Sequence, residues 1–296
     1  MHSRPSEAAQ LAYDRVADLY DDLWTPHVQG PNARLTRDLR LRRGERVADL
    51  ACGTGVYTLE MGRLVRPGEV VGVDYSEGML ATARDRAAEE DLHATWVHAR
   101  AEEFIAAADP ASFDVVSMRF ALTYLDWQSV LPGLGRMLRP GGRVGLLTSL
   151  TSSLPQLEEL YSRFRKSPEP VWKLFKHTQR SLPETWRIYR RLKDSFGDGH
   201  FIRVPGGPEE VAERLAAGGL ATEELWTERI RLWFDSGAEA VDWMRASGCA
   251  AHGSLDQLEP RALQFLTSLF AAGMEGFREP EGVPLDLVVG GIIARR

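Results

Sequence analysis

The chain has 296 residues, 44% of them hydrophobic and 26% charged, with a formal net charge of −6. That length is ample for one large buried core or a domain with a substantial insertion. The negative balance argues against a general nucleic-acid binder held through phosphates. Two cysteines, Cys52 and Cys249, make neither a disulfide framework nor a zinc site, so a reduced, cytoplasmic setting is expected. Residues 1–10 are polar and carry no apolar signal core. The longest apolar candidate, 287–294, is strand-sized, so no membrane span is expected.

In chain order, residues 9–24 read as a helix from the spacing of Leu11, Val16, Leu19 and Leu23, with Tyr13 and Tyr20 on nearby faces. Residues 25–33, with two prolines, read as a break. From 46 to 149 strands and helices alternate. Strands are expected at 46–51, 69–74, 95–99, 113–118 and 143–148, and helices at about 55–65, 77–90 and 127–138. Ser76 caps the second helix, and Pro140-Gly141-Gly142 turns the third into the fifth strand. This alternation predicts a parallel sheet covered on both faces. Residues 154–200 break it with three aromatic-rich helices, at 154–166, 169–180 and 183–195. A helix at 208–217, stopped by Gly218-Gly219, a long strand within 220–234, helices at 237–246 and 259–277 and a last strand at 285–294 complete the pattern.

The informative stretch is VADLACGTG, 47–55: a strand, then Gly53 and Gly55 in a turn into a helix. Glycines there admit backbone conformations closed to other residues, and free amides would suit an anion such as a carboxylate. The turn sits where open α/β sheets bind ligands. The next strand, VVGVDYS, carries Asp74 at its tip, near where dinucleotide folds place an acid on ribose hydroxyls. No third glycine follows Gly55, which lowers NAD and FAD.

DLACGTG, VDYSEGML, FDVVSMRFAL and LRPGGRV, taken in order, resemble the class I S-adenosylmethionine-dependent methyltransferases. The branch in view holds the quinone C-methyltransferases and many small-molecule methyltransferases. The resemblance covers 46–149 strongly and 208–296 weakly. It implies a Rossmann-like, seven-stranded, mostly parallel sheet with helices on both faces, and an inserted helical lid after the fifth strand. The expected organisation is an N-terminal helical cap (1–45), the cofactor-binding core (46–150), the lid (151–206) and a completion of the core sheet (207–296).

The resemblance also implies roles. Asp49 and the turn from Ala51 through Cys52, Gly53 and Gly55 would face the methionine part of S-adenosylmethionine. Asp74 would hold the ribose, with Tyr75 and Met79 beside the adenine. Ala101 would meet the adenine edge, Tyr20 would cover the cofactor from the N-terminal helix, and Arg119 would open the loop facing the methyl. The product would be S-adenosylhomocysteine. Relatives often have glycine at Ala51 and usually an aspartate at Arg100. An arginine cannot accept from the adenine amino group, so Glu102 is the alternative acceptor.

Tyr13, Tyr124 and His177 are the candidate acceptor-side groups, with His27 and His200 as further histidines. The histidines are scattered and no metal site is expected. All four lysines, Lys166, Lys173, Lys176 and Lys193, fall in the inserted region. Across 161–200 six arginines and four lysines stand against four acids, interleaved with Trp172, Phe175, Trp186 and Tyr189. A lid over an apolar, aromatic pocket would accept an aromatic or anionic small molecule, the charges otherwise being a solvated face. The first expectation is O-methylation of a specialised (natural-product) metabolite, as in antibiotic biosynthesis. The alternatives are C-methylation of an activated ring, enolate or prenyl/quinone-type acceptor, N-methylation, or cofactor binding without transfer in a cyclase or regulator. No nucleic-acid or membrane partner is expected, and a homodimer is left open.

Overall fold

The structure is a computed structural model that describes residues 13, 14, 17, 19–150, 154–166, 205–247 and 260–296. The described chain divides into two compact units. One comprises residues up to 150 with 205–228 and 288–296; the other comprises 154–166, 229–247 and 260–287.

Helical residues 13, 14, 17 and 19–23 form α1, which a turn at Trp24 separates from α2 (Thr25–Asp38). The expected break over 25–33 is not found: those residues are helical, and the turn falls just before them, at Trp24. Pro26 falls in the first turn of α2, where its missing N–H costs nothing. Pro31 lies inside the helix, and the buried Asn32 Nδ2 donates to the Val28 carbonyl at 2.8 Å beside it.

The core then alternates as expected: β1 (Arg46–Leu50), α3 (Val56–Val65), β2 (Glu69–Asp74), α4 (Glu77–Glu89) and β3 (Thr95–His98). Ser76 caps α4 by accepting from the Met79 amide. A short helix that the sequence reading missed, α5 (Ala101–Ala107), precedes β4 (Phe113–Arg119). Its signal is a run of strong helix formers with Glu102 and Glu103 in the first turn. After a 3-10 turn at Leu122–Tyr124, α6 (Trp127–Met137) buries Trp127, Val130, Leu131, Leu134 and Met137, the stripe of a core-facing helix.

The next strand, β5 (Leu138–Ser149), begins before the expected turn at Pro140-Gly141-Gly142. Leu138 pairs with Phe113 and Arg143 with Val115, so the segment bulges out of a continuing strand. The bulge pairs with the chain end: Gly141 donates to the Arg296 carbonyl, and Arg296 to the Gly142 carbonyl.

Further on come α7 (Pro155–Lys166), α8 (Pro208–Ala217), β6 (Ala221–Phe234), α9 (Gly237–Ala246), α10 (Pro260–Met274) and β7 (Val283–Arg295). The other expected helices of the lid, 169–180 and 183–195, lie outside the described residues. The sheet runs β3-β2-β1-β4-β5-β7-β6, with β1 to β5 parallel and β7 antiparallel to β5. β1 and β4 are buried at successive residues, as in a sheet covered on both faces.

Register places the site. Leu50 pairs with Val73 on one side and Met118 on the other. The residues one step further, Ala51, Asp74 and Arg119, therefore emerge along one edge of the sheet. The strand order reverses between β1 and β4, the switch point where such sheets open a crevice.

Arg143 ties α2 to this core. Its buried guanidinium donates to the Leu39 carbonyl, to the Arg40 carbonyl at 2.8 Å and to Glu45 at 2.7 and 2.8 Å. Carbonyls at the end of a helix lack partners of their own, and a cation is favoured there. Arg143→Met should lower the unfolding free energy by about 3 kcal/mol, because it leaves a mostly buried carboxylate and two carbonyls unpaired. Urea denaturation measures the loss.

Candidate active site

The residues at the sheet edge line a cleft of about 840 Å³, counted out to its open mouth, within the usual range for small-molecule sites. Asp74 sits at its centre of chemistry. Its carboxylate accepts from the Gly53 amide at 2.8 Å and the Ser76 amide at 2.9 Å. Burial raises its pKa, and the main-chain donors oppose that rise. Tyr75, Met79, Ala101 and Glu102 share the wall with it.

Three backbone positions of the turn lie in the left-handed region: Ala51 (φ 54), Gly53 (φ 55) and Gly55 (φ 78). Ala51 tolerates a conformation that is free of strain only for glycine, which explains the glycine common at this position in the resembled family. A Cβ on Gly53 would meet nothing within 4 Å, so this glycine leaves open space in the cleft. A Cβ on Gly55 would come within 2.7 Å of the Trp96 ring; that glycine serves packing and lines neither chamber described here.

The amides expected to be free for an anion are committed within the chain. Cys52 donates to the Val73 carbonyl at 3.0 Å, Gly53 to Asp74, and Gly55 to the Cys52 carbonyl at 3.1 Å. The cause is the tightness of the turn, which folds its own donors onto β2. Cys52 itself is half-buried, and burial pushes its thiol pKa far up, away from thiolate chemistry.

Where relatives carry aspartate, Arg100 stacks over the Tyr75 ring at 4.9 Å and pairs with Glu102 at 3.8 Å. The second oxygen of Glu102, Oε2, is buried with no partner in the chain. An acceptor of this kind beside Ala101 suits an exocyclic amino group.

Tyr13, Tyr20, Phe120 and Tyr124 close the cleft from α1 and from the loop after β4. The Tyr13 and Tyr124 hydroxyls are hydrogen-bonded at 2.7 Å, and Tyr13 also meets Tyr20 edge-on. Burial drives the Tyr20 pKa well above its ordinary value and holds the phenol neutral. Phe120 adopts φ 55, an outlier for a bulky side chain and a mark of strain at the loop's start. Sequence reasoning missed it, since nothing in its residue type announces the conformation.

Two carboxylates fasten α1 over the cleft. Asp14 accepts from Ser76 Oγ and from the Gly78 amide at 3.3 Å. Asp21 accepts from Thr54 Oγ1 at 2.8 Å and pairs with Arg86 at 2.5 Å.

Arg119 ends β4 rather than opening the loop, and its guanidinium is drawn inward. It donates to Ser117 Oγ, to Asp49 at 3.4 Å and to Thr36 at 3.1 Å. Asp49 also accepts from Thr58 at 2.6 Å. Desolvation raises the Asp49 pKa and lowers that of Arg119, each charge partly restoring the other. Both line a second chamber of about 480 Å³ that shares Tyr20, Ala51, Gly53, Arg119 and Phe120 with the cleft.

His27 lies in α2, off both walls, its pKa lowered by burial. His177, His200, Lys173, Lys176 and Lys193 fall outside the described residues, as does the side chain of Lys166. Among the described residues no three ligating side chains gather around a metal position, and no helix is long and apolar enough to cross a membrane.

Comparison with known proteins agrees with this geometry. The sequence model of a methyltransferase domain family matches residues 47–142. Demethylmenaquinone methyltransferases of Staphylococcus aureus are 34% identical over 201 residues, covering 65% of this chain and 79% of the relative. In fold, the chain resembles the YcgJ protein of Bacillus subtilis, with a TM-score of 0.56 at 17% identity over 90% of this chain and 98% of that one. It also resembles phosphoethanolamine N-methyltransferase 2 of Haemonchus contortus, with a TM-score of 0.52 at 16% identity over 96% of this chain and 57% of that one. The chain belongs to the class I S-adenosylmethionine-dependent methyltransferases.

Proposed function

We propose that this methyltransferase acts on a ring carbon of a hydroxylated aromatic acceptor of the quinol class. The observation that carries the reading is the Tyr13–Tyr124 hydroxyl pair, 2.7 Å apart in the wall of the cleft that also holds Asp74. The Staphylococcus aureus relatives, named for a quinone substrate, support it.

Bound S-adenosylmethionine supplies an electrophilic methyl on its sulfonium. Asp74 accepts from the ribose hydroxyls, and Glu102 accepts from the adenine amino group. One hydroxyl of the pair donates to the other, whose own O–H would donate to an ionised ring oxygen of the acceptor; the electron pair passes through the ring to the carbon that takes the methyl, the sulfonium would leave as the thioether of S-adenosylhomocysteine, and the displaced ring proton would go to solvent. Two phenols that already share a proton suit that task better than proton abstraction. Ala121, Phe120 and Leu125 give the same wall an apolar surface against the ring and exclude water. The expected preference for oxygen is reversed here, because a ring oxygen engaged by the free O–H of the pair leaves the adjacent carbon as the nucleophile.

Supplying a naphthoquinol with methyl-labelled cofactor and examining the product by carbon NMR tests the reading. An aryl methyl is expected; a methoxy product, or no transfer, sinks it. Tyr124→Phe and Tyr13→Phe should each lower kcat about tenfold, the loss of one hydrogen bond to a charged group, with cofactor affinity unchanged. The double variant should cost little more than either single one, since the two hydroxyls act together.

Asp74 gives a pH dependence. Its carboxylate must be ionised to accept from the ribose, and its pKa in the free protein is raised by burial. Affinity for S-adenosylhomocysteine is therefore full above that raised pKa and falls as pH drops through it, sooner than for an exposed aspartate. Calorimetric titration across the acid range should find this limb in the wild type. It should be flat in Asp74→Asn, with affinity about tenfold or more lower at neutral pH.

A further inference from the structure

We propose that Phe120 determines how large an acceptor the cleft takes, with Trp24 as the residue that holds its ring in position. The inference rests on the quinol reading, in which the Tyr13–Tyr124 pair engages the acceptor's ring oxygen.

Among the described residues, five border both the cleft and the second chamber: Tyr20, Ala51, Gly53, Arg119 and Phe120. Ala51 and Gly53 are too small to stop a guest, Tyr20 carries a hydroxyl, and the Arg119 guanidinium is drawn inward by Asp49. Of the five, Phe120 alone puts a large, wholly apolar side chain at the boundary. It lies on the same wall as Tyr124, four positions before it in the chain. An acceptor anchored at the hydroxyl pair therefore has this phenyl ring beside it.

The ring is held from two sides. At φ 55 the backbone adopts a conformation that glycine takes freely and phenylalanine takes only at a cost. Arg119 pairs with Leu147 in the sheet, and the Phe120 amide donates to the Leu147 carbonyl at 2.6 Å, which fixes the chain as it leaves β4. Trp24 packs edge-on against the phenyl ring, with centroids 5.8 Å apart. Trp24 lines the second chamber and not the cleft, so it stands behind Phe120 as seen from the acceptor. Strained positions persist where their surroundings impose them, and they cluster at ligand clamps. A guest one ring too long has to displace two packed aromatic groups, and close-packed walls yield only at a cost.

The test compares methyl transfer by the full chain to a naphthoquinol and to the linear anthracene diol with both hydroxyls on one terminal ring. The two share the hydroquinone ring and its free carbons and differ by one fused ring. The ratio of their kcat/KM values is read within each protein, so a general loss of activity cancels. The wild type should favour the naphthoquinol about a hundredfold. Phe120→Gly removes the ring and relieves the backbone, and should erase about tenfold or more of that preference. Phe120→Leu and Trp24→Leu should each move the ratio the same way by a smaller factor, about threefold. A wild type indifferent to the third ring, or a ratio unchanged in both Phe120 variants, overturns the proposal. Loss of both acceptors in both Phe120 variants also overturns it, since the ring would then serve turnover and not selection. Methoxy products with the expected shift in ratio would sink the ring-carbon reading and leave the size wall standing; a wild type that methylates neither diol sinks both.

Discussion

The site depends on one carboxylate held by two amides. Asp74 closes the turn after β1 through Gly53 and the turn before α4 through Ser76. The same carboxylate that organises these loops lines the cleft. A buried carboxylate is expensive, and its main-chain donors offset that cost only while both loops keep their shape. Ligand recognition and local folding are therefore one arrangement. It follows from register: Leu50 beside Val73 sets Asp74 opposite the turn without further adjustment.

Much of this was legible in the chain. The alternation over 46–149, the Ser76 cap and the positions of Asp74, Tyr75 and Met79 follow from periodicity and from four ordered motifs. What could not be read lies in backbone geometry and long-range pairing. Pro31 suggested a break, yet the helix runs through it, with the buried Asn32 side chain donating to the Val28 carbonyl beside it. Pro140-Gly141-Gly142 suggested a turn, yet the segment is held in a strand by Arg296, more than 150 positions away in the chain. Residue type alone carries no trace of such a partner.

The glycine turn shows the same limit. Two glycines promised free amides, a fair inference from an isolated loop. In the folded chain those amides close the turn itself. Residues with no motif of their own, Asn32 and Tyr57, acquire polar atoms without partners, and only three-dimensional proximity brings them together. Arg119, read as the first residue of a loop, becomes part of a buried ion pair because β4 runs one residue further than its apolar pattern suggests.

The fastening of α1 carries a consequence for how salt acts on the enzyme. Asp14 grips the residues just beyond Asp74, and Asp21 grips Thr54 in the glycine turn. The cover is thus fastened by charged and hydroxyl groups to the two loops that border the cleft. Ions and hydroxyls exchange their partners for water far more readily than packed aliphatic surfaces separate. Salt would therefore weaken the Asp21–Arg86 fastening before it disturbs the aliphatic interior beneath the sheet.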